Sequence, residues 1–98
     1  MVTETRIQTS VRFNNDASDT ATLIEFSGED RPGLLFDLAS VLSSSACNIE
    51  LVLVDTEAHR ALDVFYVTRN RGKLDDATQA LLRTAMERAG TSSRAPMR

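Results

Sequence analysis

The spacing of apolar residues along the chain predicts three strands and two helices. Residues 20–27 alternate with period two, as expected of a half-buried strand, and residues 48–56 and 60–68 are strand-like runs rich in Val, Ile and Leu. Between the first two strands the period becomes helical from Pro32, and a second helix is predicted over residues 74–89, with Gly90 as its stop. The predicted buried positions are Leu35, Leu38, Ala39, Leu42 and Ala46 in the first helix and Leu74, Ala77, Leu81 and Ala85 in the second.

The order strand, helix, strand, strand, helix is one strand short of a ferredoxin-like fold. Residues 7–13 carry apolar side chains at odd positions, and the polar loop that follows can return the chain antiparallel to residues 20–27. We therefore predict an α+β, ferredoxin-like two-layer sandwich, with a four-stranded antiparallel sheet and two helices on one face. The N-terminal strand would supply the edge that a C-terminal strand usually fills, with no strand after Gly90. Residues 6–89 form the predicted single domain, and residues 1–5 and 90–98 are predicted flexible tails.

Composition narrows the functional classes. A chain of 98 residues has room for one domain, and its net charge of −3 disfavours nucleic acid, which is bound largely through Lys and Arg. Cys47 is the single cysteine, so no disulfide framework or four-thiolate metal site is expected, and no cofactor is predicted. No apolar run approaches a membrane span and no signal pattern begins the chain, so we expect a cytoplasmic protein without a membrane partner.

The strands at residues 48–56 and 60–68 carry apolar side chains on both faces. Helices cover only one face of a two-layer sheet, so the other face would be left exposed. Exposed apolar patches of this kind usually mark an interface, and we expect a homodimer or higher oligomer. The alternative is a somewhat apolar sheet face that has no partner.

The loop Asp30-Arg31-Pro32-Gly33-Leu34 is the most informative segment. A tight turn from a strand into a helix leaves the first N–H groups of the helix unpaired, and such groups can bind a carboxylate. Asp30 could face a ligand ammonium, and Gly33 would let the backbone approach closely. The alternative is that Asp30 caps the helix and Pro-Gly only shapes the bend.

Several segments together resemble an ACT domain: DRPGLLFDLA at residues 30–39, NIE at residues 48–50, and DVFYVT at residues 63–68 with Gly72 and Lys73 following. More narrowly, they resemble the last ACT repeat at the C-terminus of the bifunctional PII uridylyltransferase/uridylyl-removing enzyme. The segment VRFNNDAS at residues 11–18 is similar to the entry into that repeat. One departure is that a Gly often precedes the second strand in the family, where this chain has Ala46-Cys47.

The resemblance implies a regulatory domain of nitrogen metabolism that binds an amino acid, with glutamine the leading candidate, and that can act on a regulated enzyme. It implies no enzymatic activity, because the catalytic domains of the resembled enzyme are absent from these residues.

ACT domains generally bind their ligand where the loop after the first strand meets the start of the second strand of a partner domain. The alternative function is a ligand-free dimerisation or docking module. Carried over by position, the candidate ligand-binding residues are Asp30, Arg31, Pro32, Gly33, Leu34, Leu35, Asn48 and Ile49.

The remaining polar and reactive residues give less evidence of a function. Asn48 can both donate to and accept from an amino acid, although it could instead bond its own backbone. His59 lies alone in a polar turn, Cys47 is expected to be a small buried apolar residue, and Asp63 is unusual within an apolar strand, where it could pair with an Arg. An RNA-binding module is disfavoured, because the adjacent Phe65 and Tyr66 point to opposite faces of the sheet and the chain is acidic. A soft-metal carrier and an enzyme are disfavoured, because the sequence shows neither a Cys-x-x-Cys in the first loop nor a poised catalytic pair.

Overall fold

The computed structural model describes residues 7–91. Four strands and two helices follow one another in the order β, β, α, β, β, α. Their bounds are β1 Ser10–Asn14, β2 Thr22–Glu29, α1 Leu34–Ser44, β3 Asn48–Glu57, β4 Arg60–Thr68 and α2 Asp76–Thr91.

The four strands form one antiparallel sheet in the order β1-β2-β4-β3. With the two helices this is the predicted α+β ferredoxin-like fold, which the structure confirms. β1 lies at the edge beside β2, with Ser10 opposite Ser27. It extends to Asn14, whose side-chain oxygen accepts a 2.7 Å hydrogen bond from the Asp16 backbone N–H and so starts the turn that follows. The expectation that no strand follows Gly90 concerns residues 92–98, which lie outside the described residues.

The core lies between the sheet and the helices. Phe26 of β2 and Phe65 of β4 are its largest side chains, and both are fully buried. On α1 the buried face is Leu34, Leu38 and Leu42. The predicted stripe was correct at Leu38 and Leu42 but wrong at Leu35, which is 39% exposed. The helix starts at Leu34, directly after Gly33, so its inward positions follow at intervals of four from Leu34 itself.

The second helix differs more from its prediction. Its buried residues are Leu82, Met86 and Gly90, whereas Leu81 is 74% exposed. Leu74 is buried but precedes the helix, and its backbone N–H donates to Thr22 Oγ1. α2 continues to Thr91, one residue beyond the predicted stop at Gly90.

Gly90 is required by packing rather than by helix termination. A Cβ built on Gly90 would lie 2.6 Å from Phe26 Cε1 and 2.7 Å from Phe26 Cζ. The Phe26 ring also packs against Gly28, where a built Cβ would lie 2.9 Å from Phe26 Cζ. The absence of a Cβ at both Gly28 and Gly90 thus makes room for the Phe26 ring and lets α2 pack closely on β2.

This packing predicts that Gly90→Ala destabilises the domain. Overpacking a core costs about 1–3 kcal/mol, which outweighs the roughly 1 kcal/mol that Ala gains over Gly in a helix. Urea denaturation should therefore give a lower midpoint for Gly90→Ala. Gly72→Ala is the matched control, because its Cβ would meet nothing closer than Arg69 O at 4.0 Å. Equal midpoints for Gly90→Ala and wild type would contradict the packing argument.

Candidate functional site

The loop between β2 and α1 is anchored through its backbone. The Asp30 N–H donates a 2.8 Å hydrogen bond to His59 O in the β3–β4 turn. Gly33 is the N-cap residue of α1, in a left-handed conformation with φ 81°, and no side chain caps the helix. The Asp30 carboxylate is therefore not the helix cap, and its side chain is exposed. A glycine is suited to this position because positive φ strains residues that carry a Cβ.

Arg31 ties the loop to both helices. Its Nη2 donates to Asp37 Oδ2 of α1 at 2.9 Å and to Ala89 O near the end of α2 at 2.7 Å. The Arg31–Asp37 ion pair is largely buried, with side-chain exposures of 17% and 16%. Because this guanidinium already bonds the protein, its first role is to fix the position of the loop. Arg31 Nε remains buried without a hydrogen-bond partner.

Asp63 of β4 lies toward the same end of the molecule as the loop between β2 and α1. It is 2% exposed, and its side chain points toward the helices with its neighbours Ala61 and Phe65, which are also buried. Its Oδ1 has no hydrogen-bond partner. Among the described residues, Asp63 Oδ1 and Arg31 Nε are the two buried side-chain polar atoms in this condition. The sequence expectation of an Arg partner for Asp63 does not hold, since no ion pair joins this carboxyl to an Arg within residues 7–91.

The electrostatics of Asp63 reflect this position. Burial raises the pKa of its carboxyl above the ordinary value of 3.8, and the nearby charge of Asp30 raises the pKa further. A hydrogen bond with the Asp55 backbone acts in the opposite direction and lowers the pKa. The charge of the exposed Asp30 thus acts on the buried carboxyl of Asp63.

The candidate residues divide between the two ends of the sheet. Asp30 to Leu35 gather at the end where β2 stops and β4 begins, whereas Asn48 and Ile49 start β3 at the other end. The ten residues of β3 place these ends roughly 30 Å apart. One chain therefore does not bring Asn48 to the loop. Asn48 is exposed and lines a cavity of ≈ 440 Å³ together with Glu50, Tyr66, Thr68 and Arg71, among others.

β3 is exposed along nearly its whole length. Leu51 and Leu53 share the open face of the sheet with Tyr66 and Val64 of β4 and are 50% and 52% exposed. Val54, on the helix-facing side, is 56% exposed. This edge strand therefore shows apolar side chains on both faces, whereas the sequence predicted an open apolar face on one side only.

Two predictions about single residues are confirmed. Cys47 is buried, and burial raises the pKa of its thiol, as expected of a small apolar residue that does not react. His59 is exposed in the turn. Ala46, at the place where the family often has glycine, adopts a positive φ of 62°, which explains why glycine suits that place.

Comparison with known proteins identifies the family. The family model described as "ACT domain" matches residues 22–84, more than half of the chain. The chain belongs to the ACT-domain family. A bifunctional uridylyltransferase/uridylyl-removing enzyme of Caulobacter vibrioides is 44% identical over 93 residues, which cover 89% of this chain and 10% of that enzyme. The same enzyme of Phenylobacterium zucineum is 41% identical over 91% of this chain and 10% of the enzyme, and that of Nitrobacter winogradskyi is 50% identical over 63% of this chain and 7% of the enzyme.

This ACT domain thus spans about a tenth of the length of the curated relatives that it matches. It is related to the regulatory part of those enzymes, which implies a small-molecule regulatory role. No helix within residues 7–91 has the length and apolar character needed to cross a membrane. That stretch also holds no group of three His, Cys, Asp or Glu side chains that could bind a metal ion.

The raised pKa of Asp63 predicts how stability depends on pH. The folded state holds the Asp63 proton to higher pH than the unfolded state does, so the unfolded state binds fewer protons between the two pKa values. The contribution of Asp63 to stability is fully present below about pH 3.8 and is lost as the pH rises through the folded-state pKa. In Asp63→Asn this loss should be absent, and at pH 7 the variant should be at least as stable as wild type.

Urea denaturation of both proteins from pH 3.5 to 8 measures this difference. The comparison with Asp63→Asn is needed because other carboxyls contribute with the opposite sign. Hydrogen bonds from Thr78 lower the pKa of Asp75, for example, so its contribution is lost on acidification. A wild-type minus variant difference that stays constant across this range would show that Asp63 is not perturbed.

Proposed function

We propose that this ACT domain senses an amino acid, with L-glutamine the leading candidate, at a site shared between two copies of the chain. The observation that carries the proposal is the uncapped N-terminus of α1 beside Asp30, at the end of the sheet where the edge strand β3 stops. β3 pairs with β4 on one side and has no strand on its other side within residues 7–91. The resemblance to uridylyltransferase/uridylyl-removing enzymes supports glutamine as the first ligand to test.

The loop offers complementary groups for an amino acid. The unpaired N–H groups of the first turn of α1, together with the helix dipole, favour the ligand carboxylate. Asp30 supplies a negative charge for the ammonium, and the absence of a Cβ at Gly33 permits close approach to the backbone. Pro32, Leu34 and Leu35 shape this turn, and Arg31 holds it against α1 and α2.

A second copy can complete the site through β3. If two β3 strands pair antiparallel about a two-fold axis at their centre, Val52 and Leu53 lie near the axis and Asn48 of the second copy lies opposite Glu57. Glu57 is at the same end of the sheet as the Asp30 loop, because both adjoin the β3–β4 turn. Such pairing would carry Asn48 across the roughly 30 Å that separate it from the loop within one chain. It would also join two four-stranded sheets into one and satisfy the exposed edge of β3.

A site shared in this way links ligand binding to assembly. An amino acid that contacts both copies must stabilise the dimer, and the dimer must raise the affinity for the amino acid by the same factor. Through this coupling, binding of the amino acid would change the assembly of the domain and so regulate a larger enzyme.

Calorimetry tests the binding site. L-glutamine and the other nineteen amino acids are titrated into wild type, Asp30→Ala and Asn48→Ala, with Thr84→Ala on the exposed face of α2 as control. Loss of a charge-assisted contact typically costs about 1.5–3 kcal/mol, so each site variant should bind roughly ten- to a hundred-fold more weakly. Binding of none of the twenty amino acids would favour the ligand-free docking module instead, and unchanged affinity in both site variants would place the ligand elsewhere.

Light scattering tests the dimer. We expect wild type to be a dimer at micromolar concentration and Leu53→Asp to be a monomer. Near the two-fold axis the new carboxylates of the two copies would repel each other across the strand pair. Leu81→Asp is the matched control, because Leu81 is also exposed but lies on α2, away from β3. A monomeric wild type, or a dimer that persists in Leu53→Asp with normal circular dichroism, would exclude pairing through β3.

A further inference from the structure

Asp63 is buried as thoroughly as the core around it, yet its carboxyl is not fully bonded. It is 2% exposed and its Oδ1 lacks a partner. A buried polar atom in this condition destabilises the folded state relative to one that is hydrogen-bonded. Such atoms are rare in folded proteins and call for a specific explanation.

The carboxyl lies at the margin of the helical layer rather than at its centre. Its direct neighbours on the same face are Phe26 of β2, which is 1% exposed, and Val54 of β3, which is 56% exposed. The cover that the helices provide therefore ends between Asp63 and Val54. Asp63 is the fourth residue of β4 and so lies toward the end of the sheet from which the Asp30 loop and α1 start.

The surroundings favour a cation at this place. The charge of Asp30 is close enough to raise the pKa of Asp63, so the two carboxylates together attract positive charge. An ammonium group placed between them would give Asp63 Oδ1 its missing donor and would relieve the repulsion. Arg31 already bonds Asp37 and Ala89 O, and it does not serve as this donor.

We propose that Asp63 is the residue that binds the ammonium group of the amino-acid ligand, which enters between the first turn of α1 and Val54. This inference rests on the proposed amino-acid sensing and adds a specificity-determining residue to that site. Asp30 then lies at the outer side of the ammonium and the N-terminus of α1 lies by the carboxylate. Negative side chains thus face the ammonium, and the positive end of the helix dipole faces the carboxylate, which suits a zwitterion.

Asp63 in this role makes the amino group the feature that is recognised. A compound that has the same size and the same carboxylate but no ammonium group leaves Asp63 unpaired. Wild type therefore binds such a compound no more tightly than a variant that lacks the Asp63 charge does. The domain would therefore respond to an amino acid and ignore its deaminated counterpart.

The test compares L-glutamine with glutaramic acid, its deaminated counterpart, by calorimetry at pH 7. Wild type should prefer L-glutamine by at least about tenfold, the effect of one charge-assisted hydrogen bond. Asp63→Asn, which keeps the shape of the side chain, should bind L-glutamine about ten- to a hundred-fold more weakly and lose most of that preference. Asp76→Asn, which removes an exposed carboxylate in the first turn of α2, should behave as wild type.

The outcomes separate the two proposals. If wild type binds L-glutamine and glutaramic acid equally, or Asp63→Asn keeps both affinity and preference, the role of Asp63 is refuted while amino-acid sensing stands. If wild type binds none of the twenty amino acids, sensing fails and this inference fails with it. If Asp63→Asn does not fold, equal binding of the two compounds by wild type still refutes the role of Asp63. Where the variant folds, unchanged or higher thermal stability distinguishes a binding carboxylate from a structural one.

Discussion

The structure depends on a mismatch in length between its two layers. An α-helix rises about 1.5 Å per residue and a strand about 3.3 Å, so the eleven residues of α1 span roughly 16 Å and the ten residues of β3 roughly 33 Å. The helices can therefore cover only part of the β3–β4 hairpin. The separation of Asn48 from the Asp30 loop follows from the length of β3. The exposed apolar edge follows from the place of β3 as the outermost strand, since β4 is nearly as long and is buried on its helix-facing side.

The position of the helical layer on the sheet is fixed by two contacts. The Phe26 ring, held by Gly28 and Gly90, sets how closely α2 approaches β2. Arg31 then joins the loop to Asp37 of α1 and to Ala89 O of α2. α2 packs on β1 and β2, whereas α1 contacts β3 but leaves residues 50–57 of that strand exposed. The incomplete cover of the sheet by the helices thus follows from the packing of the core.

The sequence predicted the fold well because period-two and helical patterns identify elements, and the family motifs agreed with their order. It predicted the helix faces less well. Leu81 matched a helical stripe but is exposed, since the buried face of α2 is set by the close approach of Gly90 to Phe26, and a glycine has no hydrophobic signal. The loop residues were accessible to motif reasoning, but the bonds of Arg31 to Asp37 and Ala89 span long sequence separations that no local pattern reveals. The sequence showed that Asp63 is unusual in an apolar strand. That its carboxyl lacks a partner could be seen only from its neighbours in the three-dimensional structure.

The character of Asp63 bears on the choice between a sensor and a docking module. A module that only dimerises through β3 has no need of a buried carboxyl, and an apolar side chain of similar size at that position would avoid the cost of desolvating a charge. Stability that is given up at one position is typical of a site where a ligand restores it. The carboxyl lies beside Val54 of β3 and toward the same end of the sheet as the uncapped start of α1, where both an amino acid and a second copy are proposed to bind. A sensor gives a reason for the unpaired carboxyl, the uncapped helix and the exposed strand together, whereas dimerisation alone gives a reason only for the strand.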